Sequence, residues 1–270
     1  MFLNDIQAGF SKASKTYDTS AFVQQEVGHR LFSRLEYLRF SPLHICDLGG
    51  GTGYFSEKLT QQYPHAMVVT ADLSLNMLQI AQHKKRAKTA VCLDAHKMSF
   101  ATESFDLIFC NAVFQWCSNL RDVLKECQRL LKPKGLLLFS TFGPDTLKEI
   151  KNSWSEVDNL PHVHTFADMH DFGDALAYLQ YQDPVMDTEI LTIEYSDPYA
   201  ALHDLKGIGA QNRHPERPRH LMGKQRFQTF LANLNRYRLP HGPYPMTYEV
   251  LYGIAWRGTL SKAGVICHVS

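Results

Sequence analysis

The feature that most constrains the fold of this chain is the segment 45–55, which reads ICDLGGGTGYF. An apolar stretch runs into Asp47 and then into four closely spaced glycines, and a helical pattern follows. Glycine has no Cβ, so a glycine-rich turn between a strand and a helix lets the backbone come close to a ligand. The segment therefore predicts a ligand-binding loop at the end of an apolar strand.

The charge of Asp47 indicates which kind of ligand this loop binds. A dinucleotide site points a helix N-terminus at a pyrophosphate, which a carboxylate here would repel. A cationic ligand without phosphate fits better, and S-adenosylmethionine (SAM) carries both a sulfonium and an ammonium group. The loop resembles the D/E-x-G-x-G-x-G motif of class I SAM-dependent methyltransferases. This resemblance implies SAM as cofactor, S-adenosylhomocysteine as its product, and a cofactor-binding role for Asp47, Gly49, Gly51 and Gly53.

Strand and helix patterns alternate through the first half of the chain. Strands are predicted at 43–48, 66–71, 90–93, 105–111 and 135–142, and helices at 53–62, 75–85 and 120–131. Alternation of apolar strands with helices predicts an α/β fold with a mostly parallel sheet and helices on both faces. The resemblance implies the Rossmann-like class I methyltransferase fold, with seven strands.

The second half is less regular. Helices are predicted at 145–157, 171–179, 199–208 and 224–237, and strands at 189–195 and 248–256. Because no low-complexity linker separates the halves, we expect one domain over 1–270, with N-terminal cap helices at about 1–40. The insertions at about 144–165 and 197–240 are interpreted as a helical lid.

Polar residues lie at or just after four of the predicted strands. They are Asp47, Asp72, Asp94 and Asn111. Ligands of such sheets bind outside the carboxyl ends of the strands, so these side chains are expected to meet at one site. A Rossmann-type fold that binds NAD, or that has lost its cofactor, remains an alternative.

Further cofactor contacts follow from spacing and resemblance. Asp72 lies about 20 residues after the glycine loop, as expected of a carboxylate that binds ribose hydroxyls. The resemblance implies that Asp94 and Ala95 contact the adenine and that Asn111 and Gln115 line the methionine end. Leu73 and Met77 could pack on the adenine faces, although ordinary core packing would also explain Met77.

Several segments outside these general motifs resemble one family. They read STFGPDTLKE, DMHD, DPVMD and LKGIGA. In this order they resemble segments of malonyl-acyl-carrier-protein O-methyltransferase of biotin synthesis, and the likeness spans roughly residues 5–257. It implies an enzyme that methylates the free carboxylate of a malonyl thioester on an acyl carrier protein. The ester would hide the charge, so that fatty-acid elongation enzymes accept the chain as a primer for pimeloyl synthesis.

Candidate catalytic residues are those expected to surround the transferred methyl group. Tyr17 could cap the cofactor, Trp116 could form a wall of the acceptor pocket, and Thr141 and Phe142 end the fifth predicted strand. Core packing is the alternative for Tyr17 and Trp116. His170 could contact the substrate, but helix capping is an alternative, and carboxylate methylation needs neither a base nor a metal.

A basic segment suggests how the acidic carrier protein is bound. Lys206, Arg213 and Lys224 are candidates for the malonyl carboxylate, and Arg217 and Arg219 add to a basic rim that could steer the carrier. A solvated loop is the alternative.

Composition limits the other partners. The net charge is +1, so we expect no nucleic-acid partner. No apolar run approaches the ~20 residues of a membrane span, and we expect no membrane partner. The six cysteines have no CxxC spacing. They are interpreted as reduced thiols of a cytoplasmic protein without a metal centre.

Two alternatives to the malonyl-directed function remain open. A small-molecule methyltransferase of the quinone type would share residues 43–142 but would have no reason to carry DPVMD or LKGIGA. Methyltransferase-like assembly factors of respiratory complex I also resemble this family, and they act on protein partners.

Overall fold

The computed structural model describes residues 3–210, 212, 217, 223–240 and 242–259. Seven strands form one sheet in the order β3-β2-β1-β4-β5-β7-β6. They are β1 (His44–Leu48), β2 (Met67–Asp72), β3 (Thr89–Cys92), β4 (Phe105–Asn111), β5 (Leu131–Phe142), β6 (Gln182–Tyr195) and β7 (Tyr244–Trp256). β1 to β5 pair in parallel, whereas β7 is antiparallel to both β5 and β6. The predicted mostly parallel seven-stranded sheet is confirmed.

Ten α-helices accompany this sheet in the described part of the chain. They are α1 (Leu3–Ala13), α2 (Tyr17–Ser20), α3 (Phe22–Ser33), α4 (Tyr54–Gln62), α5 (Leu75–His83), α6 (Leu120–Leu130), α7 (Lys148–Ser155), α8 (Met169–Tyr178), α9 (Pro198–Gly207) and α10 (Lys224–Leu234). Several begin at side chains that accept a hydrogen bond from the first-turn backbone, namely Ser74, Asn119, Asp168 and Asp197. Such caps satisfy backbone donors that have no partner inside the helix.

The core consists of two hydrophobic clusters on opposite faces of the sheet. Successive residues of a strand point to opposite faces, so Leu107 of β4 belongs to one cluster and Ile108 to the other. α3, α4, α7 and α10 cover the first face, and α6 and α8 cover the second. Helices on both faces leave the carboxyl ends of the parallel strands as the open edge for a site.

Three strands start well before the residue that the sequence predicts, whereas the other strand boundaries differ from the prediction by at most one residue. β6 starts at Gln182, seven residues before the predicted strand, and includes the DPVMD segment. Its register shifts between Gln182 and Val185, which lets an edge strand contain Pro184. β7 starts at Tyr244 instead of residue 248. β5 starts at Leu131, because the KPKG turn forms an irregularity within the strand opposite β4.

The N-terminal helices lie over the carboxyl ends of the strands. Gln7 Nε2 donates to Leu73 O at 2.9 Å, and the hydroxyls of Ser11 and Ser74 are 2.9 Å apart, which joins α1 to the start of α5. Thr16 Oγ1 donates to Gly207 O at 3.0 Å, which joins the same region to the end of α9. A single domain with a lid over 144–165 and 197–240 remains our proposal.

Within the described residues, none of the helices combines the length and the apolar character that crossing a membrane requires.

The contact between Gly253 and Phe139 generates a prediction about stability. Gly253 in β7 lies opposite Phe139 in β5, and a Cβ on Gly253 would be 2.1 Å from the buried phenyl ring. Gly253→Ala should therefore lower the free energy of unfolding by about 1–3 kcal/mol, because the ring has little room to move. Chemical denaturation of the purified protein measures this change.

Gly173→Ala in α8 is the matched control for this experiment. No atom lies within 4 Å of the position that its Cβ would occupy. Because alanine favours a helix over glycine, the control should be neutral or stabilising by up to about 1 kcal/mol. Equal stability of the two variants would contradict the packing argument.

Candidate active site

The carboxyl ends of β1, β2 and β4 border a cavity that we name the strand-end cavity. Its lining includes Leu3, Ile6, Phe10, Tyr17, Gly49, Gly51, Asp72, Leu73, Met77, Asp94, Ala95, His96, Asn111, Ala112 and Trp116. Eight of the eleven predicted cofactor-binding residues lie here, and the other three (Asp47, Gly53 and Gln115) lie elsewhere. The topology thus brings together predicted residues that are as far apart in the sequence as Gly49 and Asn111.

The glycine loop after β1 is held against β2 by its own backbone. Gly49 N and Gly50 N both donate to Ala71 O, at 2.7 and 3.2 Å, and Gly51 N donates to Asp72 Oδ2 at 2.9 Å. Gly49 has φ +71°, and a Cβ there would lie 2.1 Å from Val113 Cγ2. A side chain at Gly49 would therefore be strained as well as obstructed.

Gly53 differs in its place from Gly49 and Gly51, which line the strand-end cavity. It is the first residue before α4, with φ +79°, and its Cβ would lie about 3 Å from the side chains of Arg86 and Ala81. Gly53 does not line the strand-end cavity. Its place fits close packing of the helix rather than contact with a ligand.

Asp72 connects the glycine loop to the turn before α5. Besides the bond from Gly51, its Oδ1 accepts from Ser74 N at 2.7 Å. Burial raises the pKa of this carboxyl to about 6, against the opposing effect of these backbone hydrogen bonds. Asp72 lines the strand-end cavity, where the ribose-binding carboxylate was predicted.

Asp47 lies beneath the glycine loop rather than in the strand-end cavity. It is buried, and its Oδ2 accepts from Ser56 Oγ at 2.5 Å, while Ser56 Oγ lies 2.6 Å from Thr70 Oγ1. Burial, and then the nearby charge of Asp72, raise the pKa of Asp47 to about 7. Asp47 lines a smaller space that we name the glycine-loop cavity, with Tyr17, Asp18, Gln24, Gly49–Thr52 and Asn111 among its other residues.

The adenine side of the predicted site is formed by the residues that follow β2 and β3. Leu73, Met77, Asp94 and Ala95 all line the strand-end cavity. Asp94 Oδ1 accepts from His96 N at 2.9 Å and lies 2.7 Å from His96 Nδ1. Met77 is only 2% exposed, so it contributes to the core as well as to the cavity wall.

A second cavity of about 350 Å³ adjoins the first, and we name it the aromatic cavity. Its aromatic lining consists of Phe10, Tyr17, Trp116, Phe142, Trp154, Phe166 and Tyr248, together with the imidazoles of His162 and His164. Phe10, Tyr17, Ala112 and Trp116 line both cavities and form the boundary between them. Trp116 is held there by His164, with ring centroids 5.5 Å apart, and by the edge of Phe10, also at 5.5 Å.

Gln115 and Thr141 occupy places that differ from the prediction. Gln115 was expected at the methionine end of the cofactor, but it lines the aromatic cavity and not the strand-end cavity. Thr141 was expected at the mouth of the site, but it is buried behind Gln115 and donates to Gln115 Oε1 at 3.1 Å. Gln115 Nε2 donates to Ala112 O at 2.8 Å. Thr141 therefore helps to orient Gln115, and its catalytic role stays a prediction.

His170 lies outside both cavities. It is in the first turn of α8 with its side chain 85% exposed, and its Nδ1 is 3.7 Å from Asp168 Oδ1. Asp168 and Asp171 cap this helix reciprocally, with the backbone N–H groups of His170 and Asp171 donating to Asp168. The DMHD segment is thus explained by helix capping, which was the alternative for His170, and the position of His170 gives no support to a substrate contact.

Two of the predicted basic residues lie away from the cavities, and one lines the aromatic cavity. Lys206, near the end of α9, lines the aromatic cavity with an exposed side chain. Lys224 is exposed at the start of α10 and does not line it. Arg217 Nη2 lies 3.0 Å from Asp5 Oδ2 in α1. Arg213 and Arg219 lie outside the described residues.

The prediction missed residues contributed by the loop between α7 and α8. His162 stacks on Trp154 with ring centroids 3.9 Å apart and lies 2.9 Å from Asp158 Oδ1. His164 Nε2 donates to Gln115 O at 2.8 Å. Both histidines belong to the segment HVHTF, which is the only signal for them in the sequence. Because this loop has no sustained helix or strand periodicity, there is no basis for placing the histidines on the cavity wall from sequence.

The fold and the glycine loop are those of a class I methyltransferase. Residues 46–139 match the family model described as a methyltransferase domain. The crystal structure of the YcgJ protein from Bacillus subtilis superimposes with a TM-score of 0.62 at 16% identity. It covers 86% of this chain and 99% of that one. The predicted Rossmann-like class is thereby confirmed.

Sequence relatives identify the family within this class. The malonyl-[acyl-carrier protein] O-methyltransferase of Legionella pneumophila is 44% identical, over 96% of this chain and 92% of the relative. Malonyl-[acyl-carrier protein] O-methyltransferase 1 of Coxiella burnetii is also 44% identical, over 96% of this chain and 89% of the relative. The chain belongs to the malonyl-[acyl-carrier protein] O-methyltransferase family, as its sequence segments suggested.

The raised pKa of Asp47 predicts how stability depends on pH. In the unfolded chain this carboxyl ionises near its ordinary pKa of 3.8, whereas the folded protein keeps the proton up to about pH 7. The folded state therefore binds more protons in this window, and the free energy of unfolding falls as pH rises from about 4 to 7. Asp47→Asn should flatten this decline in denaturation curves measured across the window without added ligand.

Asp174→Asn, at an exposed position in α8, is the matched control. Its pH profile should run parallel to that of the unmodified protein. A profile of Asp47→Asn that also runs parallel would contradict the assignment of this pH dependence to Asp47.

Proposed function

We propose that this protein transfers the methyl group of SAM to the free carboxylate of a malonyl group carried by acyl carrier protein. The membership of the chain in this family supports the proposal. The structural observation that carries it is the pair of adjoining cavities, which share Phe10, Tyr17, Ala112 and Trp116 as a common boundary. One cavity suits the cofactor and the other suits an acceptor.

The strand-end cavity fits SAM better than a dinucleotide. Its described lining contains the carboxylates of Asp72 and Asp94 but neither lysine nor arginine. The backbone N–H groups of Gly49, Gly50 and Gly51 are already directed at Ala71 and Asp72. A pyrophosphate would meet negative charge without the donors it needs, whereas a cationic ligand would be favoured. Asp72 would hold the ribose, and Asp94 and Ala95 the adenine.

When bound, SAM would supply a methyl group on positively charged sulfur. A carboxylate oxygen of the acceptor would form the new C–O bond while the C–S bond breaks and its electron pair stays on sulfur. The products would be the methyl ester and S-adenosylhomocysteine.

The residues of this chain need only position the acceptor and exclude water. A carboxylate is already ionised at pH 7, so no general base is required. Burial raises the pKa of Tyr17 above its ordinary value, which keeps the phenol protonated and able to donate a hydrogen bond. The rings of Phe10, Tyr17 and Trp116 at the boundary exclude water and can favour a nearby cation.

Lys206 is our candidate for the partner of the malonyl carboxylate. Among the described residues that line the aromatic cavity, it is the sole lysine or arginine. The rest of the wall is mostly aromatic and aliphatic, so a carboxylate entering this space would be attracted to that ammonium group. Phe142 would form part of the same wall.

The acidic carrier protein would dock on the basic segment from Arg213 to Arg226. Within it, Lys224 is exposed, Arg217 contacts Asp5, and Arg226 contacts Asp158. A positively charged rim would steer the carrier and its phosphate-bearing arm toward the aromatic cavity. We further propose that the reaction takes place in the cytoplasm and provides the primer for pimeloyl synthesis in biotin formation.

The test is methyl transfer to the carrier-bound malonyl group. Purified protein incubated with methyl-labelled SAM and malonyl-acyl carrier protein should give the malonyl methyl ester, which mass spectrometry detects by the added labelled methyl group. Acetyl-acyl carrier protein, which lacks the free carboxylate, should remain unlabelled. Expression of the chain should also restore growth of a biotin auxotroph that lacks this step.

Other results would contradict the proposal in different ways. Binding of SAM without transfer to the malonyl carrier, together with methylation of a quinone-type small molecule, would favour the small-molecule alternative. A stable complex with a respiratory subunit and no methyl transfer would favour the assembly-factor alternative.

The role of Lys206 predicts a selective kinetic defect. Lys206→Gln should raise the KM for malonyl-acyl carrier protein about tenfold, because a charge-assisted hydrogen bond contributes about 1.5–3 kcal/mol and solvent weakens it here. The affinity for SAM should stay unchanged. Steady-state kinetics and calorimetry measure the two quantities.

Lys125→Gln in α6, at an exposed position that lines neither cavity, is the matched control. Its KM should match that of the unmodified protein. If both variants behave alike, Lys206 does not bind the acceptor.

A further inference from the structure

Gln24 in α3 carries a buried polar atom that has no hydrogen-bond partner among the described residues. Its Oε1 is enclosed and accepts no hydrogen bond from the described residues. The residue lines both the aromatic cavity and the glycine-loop cavity. An unsatisfied buried acceptor is destabilising by about 1–3 kcal/mol, so a ligand that supplies a donor would be favoured here.

The side chains of Asn111 and Asp18 in this cavity are already engaged. Asn111 Nδ2 donates to the backbone oxygen of Gln24 at 2.9 Å, and Asn111 Oδ1 accepts from Ser140 Oγ at 2.7 Å. Asp18 accepts from Thr52, Lys84 and Arg86 at 2.5–2.6 Å. The side-chain amide of Gln24 is therefore the one that remains available to a ligand. It lies at the end of the glycine loop that is farther from Asp94.

The surroundings of Gln24 Oε1 favour a positively charged donor. The acidic side chains that line the glycine-loop cavity in the described chain are Asp18 and Asp47, and Asp18 is already paired with two cations. Asp47 lies within the same cavity, with its Oδ2 bonded to Ser56. An amide oxygen beside this acidic group suits an ammonium group better than an anion, because a bound ammonium would favour the ionised form of Asp47.

We infer that Gln24 Oε1 accepts a hydrogen bond from the ammonium group at the amino-acid end of the cofactor. This inference rests on the proposed function, because SAM and S-adenosylhomocysteine are the ammonium-bearing ligands that it names. The adenosine part is assigned to the strand-end cavity, and the two cavities share Tyr17, Gly49, Gly51 and Asn111. The N-terminal cap thus contributes a cofactor-binding side chain, not only a cover.

Calorimetry with three ligands tests this role without measuring activity. S-adenosylhomocysteine has both the ammonium and the carboxylate of the amino-acid end. Decarboxylated S-adenosylmethionine has the ammonium, and its sulfonium, but lacks the carboxylate. 5′-Methylthioadenosine has neither the ammonium nor the carboxylate. Gln24→Leu should weaken the first two ligands about tenfold or more, since a hydrogen bond to a charged group is lost. The affinity for 5′-methylthioadenosine should change by less than about twofold.

Gln24→Glu separates an accepting role from a donating one. Glutamate keeps an oxygen at this position and adds negative charge, so the affinity for S-adenosylhomocysteine should equal or exceed that of the unmodified protein. Weaker binding in Gln24→Glu would mean that the amide donates to a carboxylate, and the inference would be overturned. Gln61→Leu, at an exposed position of α4, is the matched control and should leave all three affinities unchanged.

The remaining outcomes are also decisive. Equal weakening of all three ligands by Gln24→Leu would indicate a purely structural role and overturn the inference. If the unmodified protein binds S-adenosylhomocysteine but does not methylate the malonyl carrier, the proposed acceptor fails while the role of Gln24 is still measured. If the unmodified protein binds none of the ligands, both the cofactor assignment and the inference fail.

Discussion

The hydrogen bond from Gly51 N to Asp72 Oδ2, 2.9 Å long, is the interaction on which the geometry of the site depends. It fastens the loop after β1 to the end of β2, and the two donations to Ala71 O strengthen the same junction. In dinucleotide-binding folds such N–H groups point at a phosphate. Here they donate to Ala71 and Asp72 of the protein itself, which fixes the shape of the loop, and we propose that carboxylates recognise its ligand.

A second junction ties the N-terminal cap to this loop. Asp18, next to Tyr17, accepts from Thr52 in the glycine loop and from Lys84 and Arg86 beyond α5. Burial alone would raise the pKa of Asp18, but the hydrogen bonds from Lys84, Thr52 and Arg86 outweigh it and hold the pKa below its ordinary value. The carboxylate therefore stays charged at neutral pH, and its bonds to Thr52, Lys84 and Arg86 fix the residue that follows Tyr17 in the chain.

The sequence was sufficient where chemistry and periodicity coincide. Alternating apolar strands and helices predicted the parallel part of the sheet, and strand-end positions predicted that Asp72, Asp94 and Asn111 share one cavity. It was insufficient where a contact depends on the path of a loop. His162 and His164 lie on an aperiodic segment. Gln115 lines the aromatic cavity instead of the strand-end cavity, and Thr141, which is hydrogen-bonded to it, lines neither. The role of His170 was left open between capping and substrate contact, because a capping sequence and a catalytic one share the same residue types.

The length and position of β6 have a consequence for solubility. This strand of 14 residues forms the outer edge of the sheet, where exposed backbone groups could pair with another chain. Acidic side chains recur along it, and Arg30 and Arg34 pair with Glu189 and Asp187 across its surface. Pro184 and the register shift between Gln182 and Val185 interrupt regular strand pairing at the start of β6. Charges, proline and irregular register are features by which edge strands disfavour edge-to-edge pairing with another chain, so we expect β6 to limit aggregation at this open edge.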